Sequence, residues 1–516
     1  MAKIVRDPAS AAKETYDLII IGGGIYGVML SLAASRRNLR SLLIERNDFG
    51  GATSFNSLRV IHGGLRYLQT LDLSRFRESV GERRWFLQMF PKLVQPLPCL
   101  MPLYGEGLRR PFILRFALAV NDIFSRKRNE GVPPDNHLPQ GLIIGSQQTR
   151  ELFPDVDTDD LKGGAVWYDA WMPDSQRLLI QILRWACEYG ATALNYVEST
   201  QLLTNEGRVA GVVAVDRETD THYEYKAKAV VNACGPWCRN LATSFHQDEP
   251  SLFRGSLAWN VLLNKKAFSN HTVAVAPKKP GGKVYFLMPW KGKLLAGTGH
   301  APWSDCRKEP MPSTAQLHDF LSDLNSAVPT LEVSQQDILR IFAGLLPVTE
   351  PGGTKLSVRE VIIDHASNGG PRGFFSVSGV KFTTARLVAE KVLNRIFPDR
   401  KTFSYANQHG FRPPESGQNG HGIFDFERQP TDDGSTFQDA LRLLIAEESV
   451  QHLDDLIFRR TNLWENPAKA LEIAQVACGL FKWDDSCCRN EMKRLKKQLM
   501  VGRYQHRKNA EFGSVS

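Results

Sequence analysis

No C-x-x-C pair occurs among the eight cysteines (Cys99, Cys187, Cys234, Cys238, Cys306, Cys478, Cys487 and Cys488), and no histidine stands beside them at zinc-ligand spacing. A disulfide framework and a structural metal are therefore not expected, and a reduced, cytoplasmic protein is the simpler reading. No internal repeat is present, which speaks against solenoids and propellers. No apolar run is long and unbroken enough to span a bilayer. The best candidate, Tyr16 to Ala34, is interrupted by Gly22, Gly23, Gly24 and Gly27, so membrane contact is expected only peripherally, at the inner face. The basic run that includes Arg489, Lys493, Lys496 and Lys497 has no aromatic stacking platform beside it, so no nucleic-acid partner is expected.

What is present is ordinary globular composition: 516 residues, 42% hydrophobic and 23% charged, enough chain for two or three domains. Lys and Arg exceed Asp and Glu to give a net charge of +9, which suits an anionic partner such as a phosphorylated small molecule or a lipid surface.

Asp17 to Ile21 is a β-branched run, Gly22 to Gly27 a glycine turn, Val28 to Ser35 an apolar helical start, and Ser41 to Ile44 a second apolar run closed by Glu45. This is one βαβ unit. In Gly22-x-Gly24-x-x-Gly27, Gly22 permits the tight turn, Gly24 lets the backbone approach a pyrophosphate, and Gly27 allows close helix packing. Glu45 is placed to accept hydrogen bonds from a ribose. The motif alone fits NAD or FAD.

Two later segments favour FAD: the strand end Val230 to Trp237, and Ser378-Gly379-Val380-Lys381-Phe382-Thr383-Thr384, a strand turning into a helix near Thr383. Such a turn brings backbone N–H groups back to the cofactor, with the Thr383 and Thr384 hydroxyls expected to cap the helix. A single nicotinamide domain has no use for it. Ala233, Gly235 and Trp237 in the first segment, Gly379, Lys381, Phe382 and Thr383 in the second, and Thr53, Ser54 and Ser57 in the loop after Glu45 complete the expected cofactor contacts.

Ala52-Thr53-Ser54 followed by Ile61-His62-Gly63-Gly64-Leu65-Arg66-Tyr67 resembles the "ATSS…IHGGLRYL" signature of the FAD-dependent glycerol-3-phosphate dehydrogenase family. Asn232 to Trp237 is similar to its "NATGPW", Met288-Pro289-Trp290 with Gly297-Thr298-Gly299 to its "IPW…GTTD", and Gly379 to Thr384 to its "GGKLTT". His452-Leu453-Asp454-Asp455 with Arg459-Arg460-Thr461 is similar to its "HLDD…RRT".

The resemblance implies an α/β fold, α+β overall. A Rossmann-like FAD-binding domain (16–80, 160–240 and 335–398) is interleaved with a β-sheet substrate domain (81–159 and 241–334). A linker (399–436) and a helical C-terminal domain (437–516) follow. It also implies oxidation of a secondary alcohol by hydride transfer to the flavin, with quinone or another acceptor taking the electrons.

Carried over by position, Arg66, Tyr67 and Lys381 are the expected substrate contacts. His62, which also lies by the flavin with Gly63, shares an i, i+4 relation with Arg66 and is expected to share a helical face with it. Three positions depart from the family. Leu346 replaces the phosphate-binding arginine of "GVRPL", Leu257 the histidine of "KGSH", and His300 the aspartate of "GTTD". A leucine offers no donor to a phosphate, whereas a guanidinium forks onto two oxygens. Changed specificity toward another hydroxy or amino compound therefore stays open, as does a catalytically silent flavin protein. The catalytic set is Arg66, Lys381, His62 and His300, with either histidine as base.

The segment 108–128 interleaves Arg110, Arg115, Arg126, Lys127 and Arg128 with Phe112, Phe116, Ile123 and Phe124. It reads either as a peripheral membrane contact or as a core-packing helix with a basic edge. A homodimer is an admissible assembly.

Overall fold

The computed structural model describes residues 3–105, 110–252, 255–277, 282–303, 309–350, 353, 355–400 and 434–500. Two sheets organise it. The first is eight-stranded, and its central path runs Val361–Asp364, Phe374–Ser378, Thr221–Asn232, Thr15–Ile21, Ser41–Ile44, Thr192–Leu194. The five strands from Phe374–Ser378 to Thr192–Leu194 pair in parallel. Leu18, Ile19 and Ile20 are fully buried, as expected where helices cover both faces of a parallel sheet. The helix Ile25–Ser35 returns the chain from the first strand to the next and packs against the helices Ser175–Glu188 and Ala385–Ile396.

The second sheet is nine-stranded. Its path runs Ile338–Pro347, Gly255–Leu263, Lys293–Pro302, Tyr285–Trp290, Thr272–Val275, Gln95–Leu103, Gly163–Trp171, Val60–Ile61. Tyr285–Trp290 and Lys293–Pro302 form a hairpin, with Lys291 and Gly292 both at positive φ, the geometry of a primed turn.

Val60–Ile61, Gly163–Trp171 and Ile338–Pro347 fall within the expected cofactor domain but belong to the second sheet. The last of these pairs along its length with Gly255–Leu263, a long-range register that local pattern does not carry. Most of the expected 399–436 linker lies outside the described residues, and the first C-terminal helix already begins at Gly434.

The cysteine expectation is also corrected, because Cys478 and Cys488 form a disulfide. The helices Pro467–Phe481 and Asp485–Met500 fold back on each other and bring the two Cα atoms to 5.7 Å. No sequence spacing rule reads such a pairing.

The C-terminal helices dock through a buried charge network. The turn Asp455–Arg460 presents two consecutive arginines to one carboxylate. Arg459 Nε donates to Asp48 at 2.6 Å, and Arg460 donates through Nη1 at 2.7 Å and Nη2 at 2.8 Å. Asn195 adds a fourth donor at 2.9 Å. Burial alone would raise the Asp48 pKa, but Arg460 and Arg459 hold it far below the usual carboxylate range. Glu448 is held likewise by Arg177 and Arg184. Asp455 accepts from Tyr196 at 2.6 Å and Arg459 at 2.7 Å. The "HLDD…RRT" segment is therefore an interdomain clamp.

Both Arg460 and Asp48 are fully buried, so truncating one leaves the other charge uncompensated. Arg460→Met should lower stability by roughly 3–5 kcal/mol, and adding Asp48→Asn should recover part of that loss in thermal melts. A loss below about 1 kcal/mol, no more than an exposed pair is worth, would show that the clamp is not holding the domains.

Candidate active site

The turns that follow four parallel strands converge at one end of the first sheet, because parallel strands share the direction in which they end. This is the edge at which open α/β sheets bind ligands. Gly22 sits at φ +109, and a Cβ there would lie 2.7 Å from the Ala233 carbonyl oxygen. At Gly27 a Cβ would lie 1.8 Å from the Gly22 carbonyl oxygen. At Gly24 it would approach only the Ser54 Oγ, at 3.4 Å. Two glycines thus serve packing, while the third leaves open space at the N-terminus of the Ile25–Ser35 helix, where a pyrophosphate is favoured.

Glu45 accepts from the Gly23 N–H at 2.7 Å and the Asn47 N–H at 2.9 Å. Each carboxylate oxygen keeps lone-pair capacity for a ribose hydroxyl. Across the opening, Gly235 adopts φ +53, and a Cβ there would meet nothing within 4 Å. The Arg46 guanidinium lies 5.3 Å from the Trp237 ring centroid. This cradle fits FAD.

Several expected contacts take structural partners. The Ser54 hydroxyl accepts from the Ile25 N–H at 3.0 Å, capping the helix that the glycine turn begins. The Ser57 hydroxyl accepts from the Arg59 N–H at 3.2 Å. Thr53 lies against Gly344 of the second sheet, and the Phe382 ring packs 6.1 Å from Phe86. Thr383 is buried. The helix after it begins at Ala385 without a side-chain cap, and the Thr384 hydroxyl turns back to the Lys381 carbonyl at 3.5 Å, so the expected threonine caps do not form.

His62 and Arg66 do not share a helical face. His62 ends the extended segment, Gly64 turns the chain at φ +84, and the helical turn starts only at Leu65. His62 instead faces Asp169, its Nδ1 lying 3.3 Å from the carboxylate. Asp169 also accepts from the Gly63 N–H at 2.6 Å and from Arg83 at 2.8 Å. Burial alone would raise the Asp169 pKa, but the His62 hydrogen bond and the Arg83 charge hold it at about 2. Arg66 is exposed.

Strand register separates the three departures from the family pattern. Ser256 pairs with Leu346 and Ala258 with both Gly344 and His300, so Leu346 and His300 share the sheet face that meets Thr53. His300 Nε2 lies 3.4 Å from the Ser256 hydroxyl, and burial, with Lys283, lowers its pKa. His300 is thus a half-buried residue of the Lys293–Pro302 strand. Leu257 pairs with Leu345 and points to the opposite face, fully buried in the core. It is not a pocket residue, because successive side chains on a strand alternate faces.

Lys381 Nζ contacts the Tyr67 hydroxyl and lies 4.3 Å from that ring's centroid. The pair lines a narrow cleft together with Arg75, Arg359, Glu360 and Lys391. Arg75 is tied to Asp72 at 2.6 Å and Lys391 to Glu360 at 2.7 Å. Arg359 is exposed, and its charge contributes to holding the Asp72 carboxyl below its ordinary range, after the Arg75 hydrogen bonds. Arg359 and Asp169 belong to none of the motifs read from the sequence, and neither does the role of Tyr26, whose hydroxyl meets the Lys381 backbone. Tyr26 alone carries a signal, as the one large polar side chain inside the glycine motif.

The model of the family described as "FAD dependent oxidoreductase" matches residues 17–395. The chain belongs to this FAD-dependent family. Among curated relatives it is similar to glycerol-3-phosphate dehydrogenase of Synechocystis sp., 29% identical over 74% of this chain and 70% of that protein. It is also 30% identical to the human mitochondrial glycerol-3-phosphate dehydrogenase over 73% of this chain. The match spans about half the length of that mitochondrial relative, 52%. Among solved structures it resembles the glycerol-3-phosphate dehydrogenase of Bacillus halodurans complexed with FAD. The TM-score is 0.73 at 20% identity, covering 96% of both chains. FAD is thus the cofactor, the protein is an FAD-dependent oxidoreductase, and the Rossmann-like fold expected from sequence is present.

Proposed function

We propose that the protein oxidises the secondary alcohol of glycerol 3-phosphate or a close phosphorylated analogue. The observation that carries this reading is the cleft in which Arg359 stands beside the Lys381–Tyr67 pair. It supplies a guanidinium to the substrate anion although Leu346 has none. FAD, when bound, accepts the hydride of such an oxidation. The chain's own task is to hold the phosphate and to take the hydroxyl proton. His62 is better arranged for that proton than His300. Asp169 engages its Nδ1 and orients the ring, leaving Nε2 to act as base, whereas His300 Nε2 is directed at Ser256.

The apolar Leu346 on the same sheet face as His300 favours a second reading, a less anionic hydroxy or amino substrate. Anaerobic mixing of the FAD-loaded protein with glycerol 3-phosphate separates the two. Rapid bleaching of the flavin supports the first reading, and a flavin left oxidised rejects it. In the same experiment Arg359→Ala should raise the half-saturating substrate concentration roughly 10-fold or more, the magnitude of one charge-assisted hydrogen bond. The limiting rate should change much less. Asp169→Asn should instead depress the limiting rate, by about 10²-fold. A rate close to the parent's would remove His62 as the base.

The electrons pass, in this reading, to a quinone at a membrane surface. No helix among the described residues is long and apolar enough to cross a membrane. The helix Pro111–Phe124 nevertheless exposes Phe112 (66%), Phe116 (73%) and Ile123 (67%) along one face, with Arg110, Arg115, Arg126 and Lys127 exposed around it. Arg128 is the exception, buried in an ion pair with Asp122 at 3.0 Å. A core-packing helix buries its large side chains. This one buries only Leu118, which suits an interfacial helix at an anionic bilayer. Each phenylalanine seated in lipid is worth roughly 1.5–3 kcal/mol. Phe112→Ser/Phe116→Ser should therefore release the protein from phosphatidylserine-containing vesicles in a flotation assay, with flavin reduction unchanged. Equal vesicle binding by this variant would reject the contact.

A further inference from the structure

Tyr26 lies in the first turn of the Ile25–Ser35 helix, inside the glycine motif, yet its side chain is committed to a residue 355 positions away. Its hydroxyl donates to the Lys381 carbonyl at 2.8 Å and accepts from the Lys381 N–H at 3.1 Å. One side chain thus satisfies both backbone groups of a single residue. The ring occupies the space a side chain would need at position 379, where a Cβ would lie 1.8 Å from the Tyr26 Cζ. Gly379 is therefore required here by close approach. Beyond the clamped backbone, Lys381 extends at φ −139, ψ 141, and its Nζ reaches the Tyr67 hydroxyl.

We propose that Tyr26 is a positioning residue that fixes the Lys381 ammonium relative to the turn that holds the FAD pyrophosphate. The inference rests on the reading that Lys381 acts at the flavin and substrate. Without the Tyr26 hydroxyl, the 379–381 turn loses both hydrogen bonds to the Ile25–Ser35 helix and keeps the ring packing on Gly379, so the Lys381 backbone is held less firmly. The pair of hydrogen bonds to one hydroxyl also commits the Lys381 N–H, which is therefore not available as a donor to a bound cofactor. Burial pushes the Tyr26 hydroxyl up to about 12, so it stays neutral at working pH and can donate and accept at once.

The test uses the FAD-loaded enzyme and sulfite as the probe, since sulfite binding bleaches flavin and is strengthened by a nearby positive charge. Tyr26→Phe keeps the ring and loses only the oxygen. Sulfite affinity and half-saturation by glycerol 3-phosphate should each weaken by about 5- to 10-fold, the worth of one or two hydrogen bonds, with FAD retained and the melting temperature little changed. In a Lys381→Met background the same substitution should have no further effect on sulfite. If Lys381→Met shifts sulfite binding and Tyr26→Phe does not, the positioning role is overturned while the reading of Lys381 stands. If Lys381→Met is itself silent, that reading falls and the inference with it. Should Tyr26→Phe fail to hold FAD, Gly379→Ala displaces the ring from the opposite side and is judged by the same loss of sulfite affinity, its absence counting against the proposal.

Discussion

Asp48 is a carboxylate sealed from solvent between the cofactor domain and the C-terminal helices, and its charge is tolerable only because Arg459, Arg460 and Asn195 all donate to it. An isolated buried charge costs several kcal/mol, so the loop after Glu45 and the Asp455–Arg460 turn are stable only together. The consequence reaches the cofactor cradle directly. Two residues beyond Asp48, the Gly50 N–H donates to the Gly23 carbonyl at 3.0 Å. The intervening Phe49 ring lies where a Cβ on Gly23 would meet it at 2.8 Å. The glycine turn is thus braced from behind by a loop that the C-terminal helices hold in place. Helices remote in sequence thereby support the glycine turn.

The second sheet meets this braced unit through an aromatic and guanidinium cluster. Arg59, buried at positive φ, lies 4.6 Å from the Trp290 ring centroid, and Arg340 lies 4.9 Å from that of Phe458. Phe55, Phe342 and Trp464 pack edge to face between them. Edge-to-face pairs and cation–π contacts are directional. They fix how the loop that carries Thr53 and Ser54 sits against the sheet face that carries Leu346 and His300. Cofactor cradle and substrate face are therefore set by separate devices, one of buried charge and one of aromatic packing.

This division explains what the sequence made legible. The glycine motif, Glu45 and the late turn at Gly379 are readable because each is dictated by local backbone geometry or by a family resemblance carried in contiguous residues. Leu257 and Leu346 both read as pocket residues. Only the register of Gly255–Leu263 against its neighbours shows that one faces the core and the other the site. The expected pairing of His62 with Arg66 requires a helix that Gly64 breaks. The "HLDD…RRT" segment is legible as a resemblance, but not as a clamp, because its partner Asp48 is 411 residues from Arg459. Cys478 and Cys488, like Tyr26 and Lys381, meet only through tertiary packing, which no spacing rule encodes.

The proposed substrate site gains its asymmetry from the same facts. An arginine mounted on a strand, as the family pattern places it at position 346, is held by the sheet and loses little freedom on binding. Arg359 follows the second sheet's last strand in chain order and is exposed. Ordering such a long side chain on binding costs up to about 2 kcal/mol, a cost that a side chain already held by the sheet largely avoids. Its net contribution is accordingly smaller than a strand arginine's, and it serves capture more than orientation. Orientation then falls to Lys381, whose main chain is gripped through both its N–H and its carbonyl before any ligand arrives. A site built this way trades affinity for the anion against tolerance of its shape. On the proposed reading, Leu346 and Arg359 together would widen the range of phosphorylated alcohols accepted.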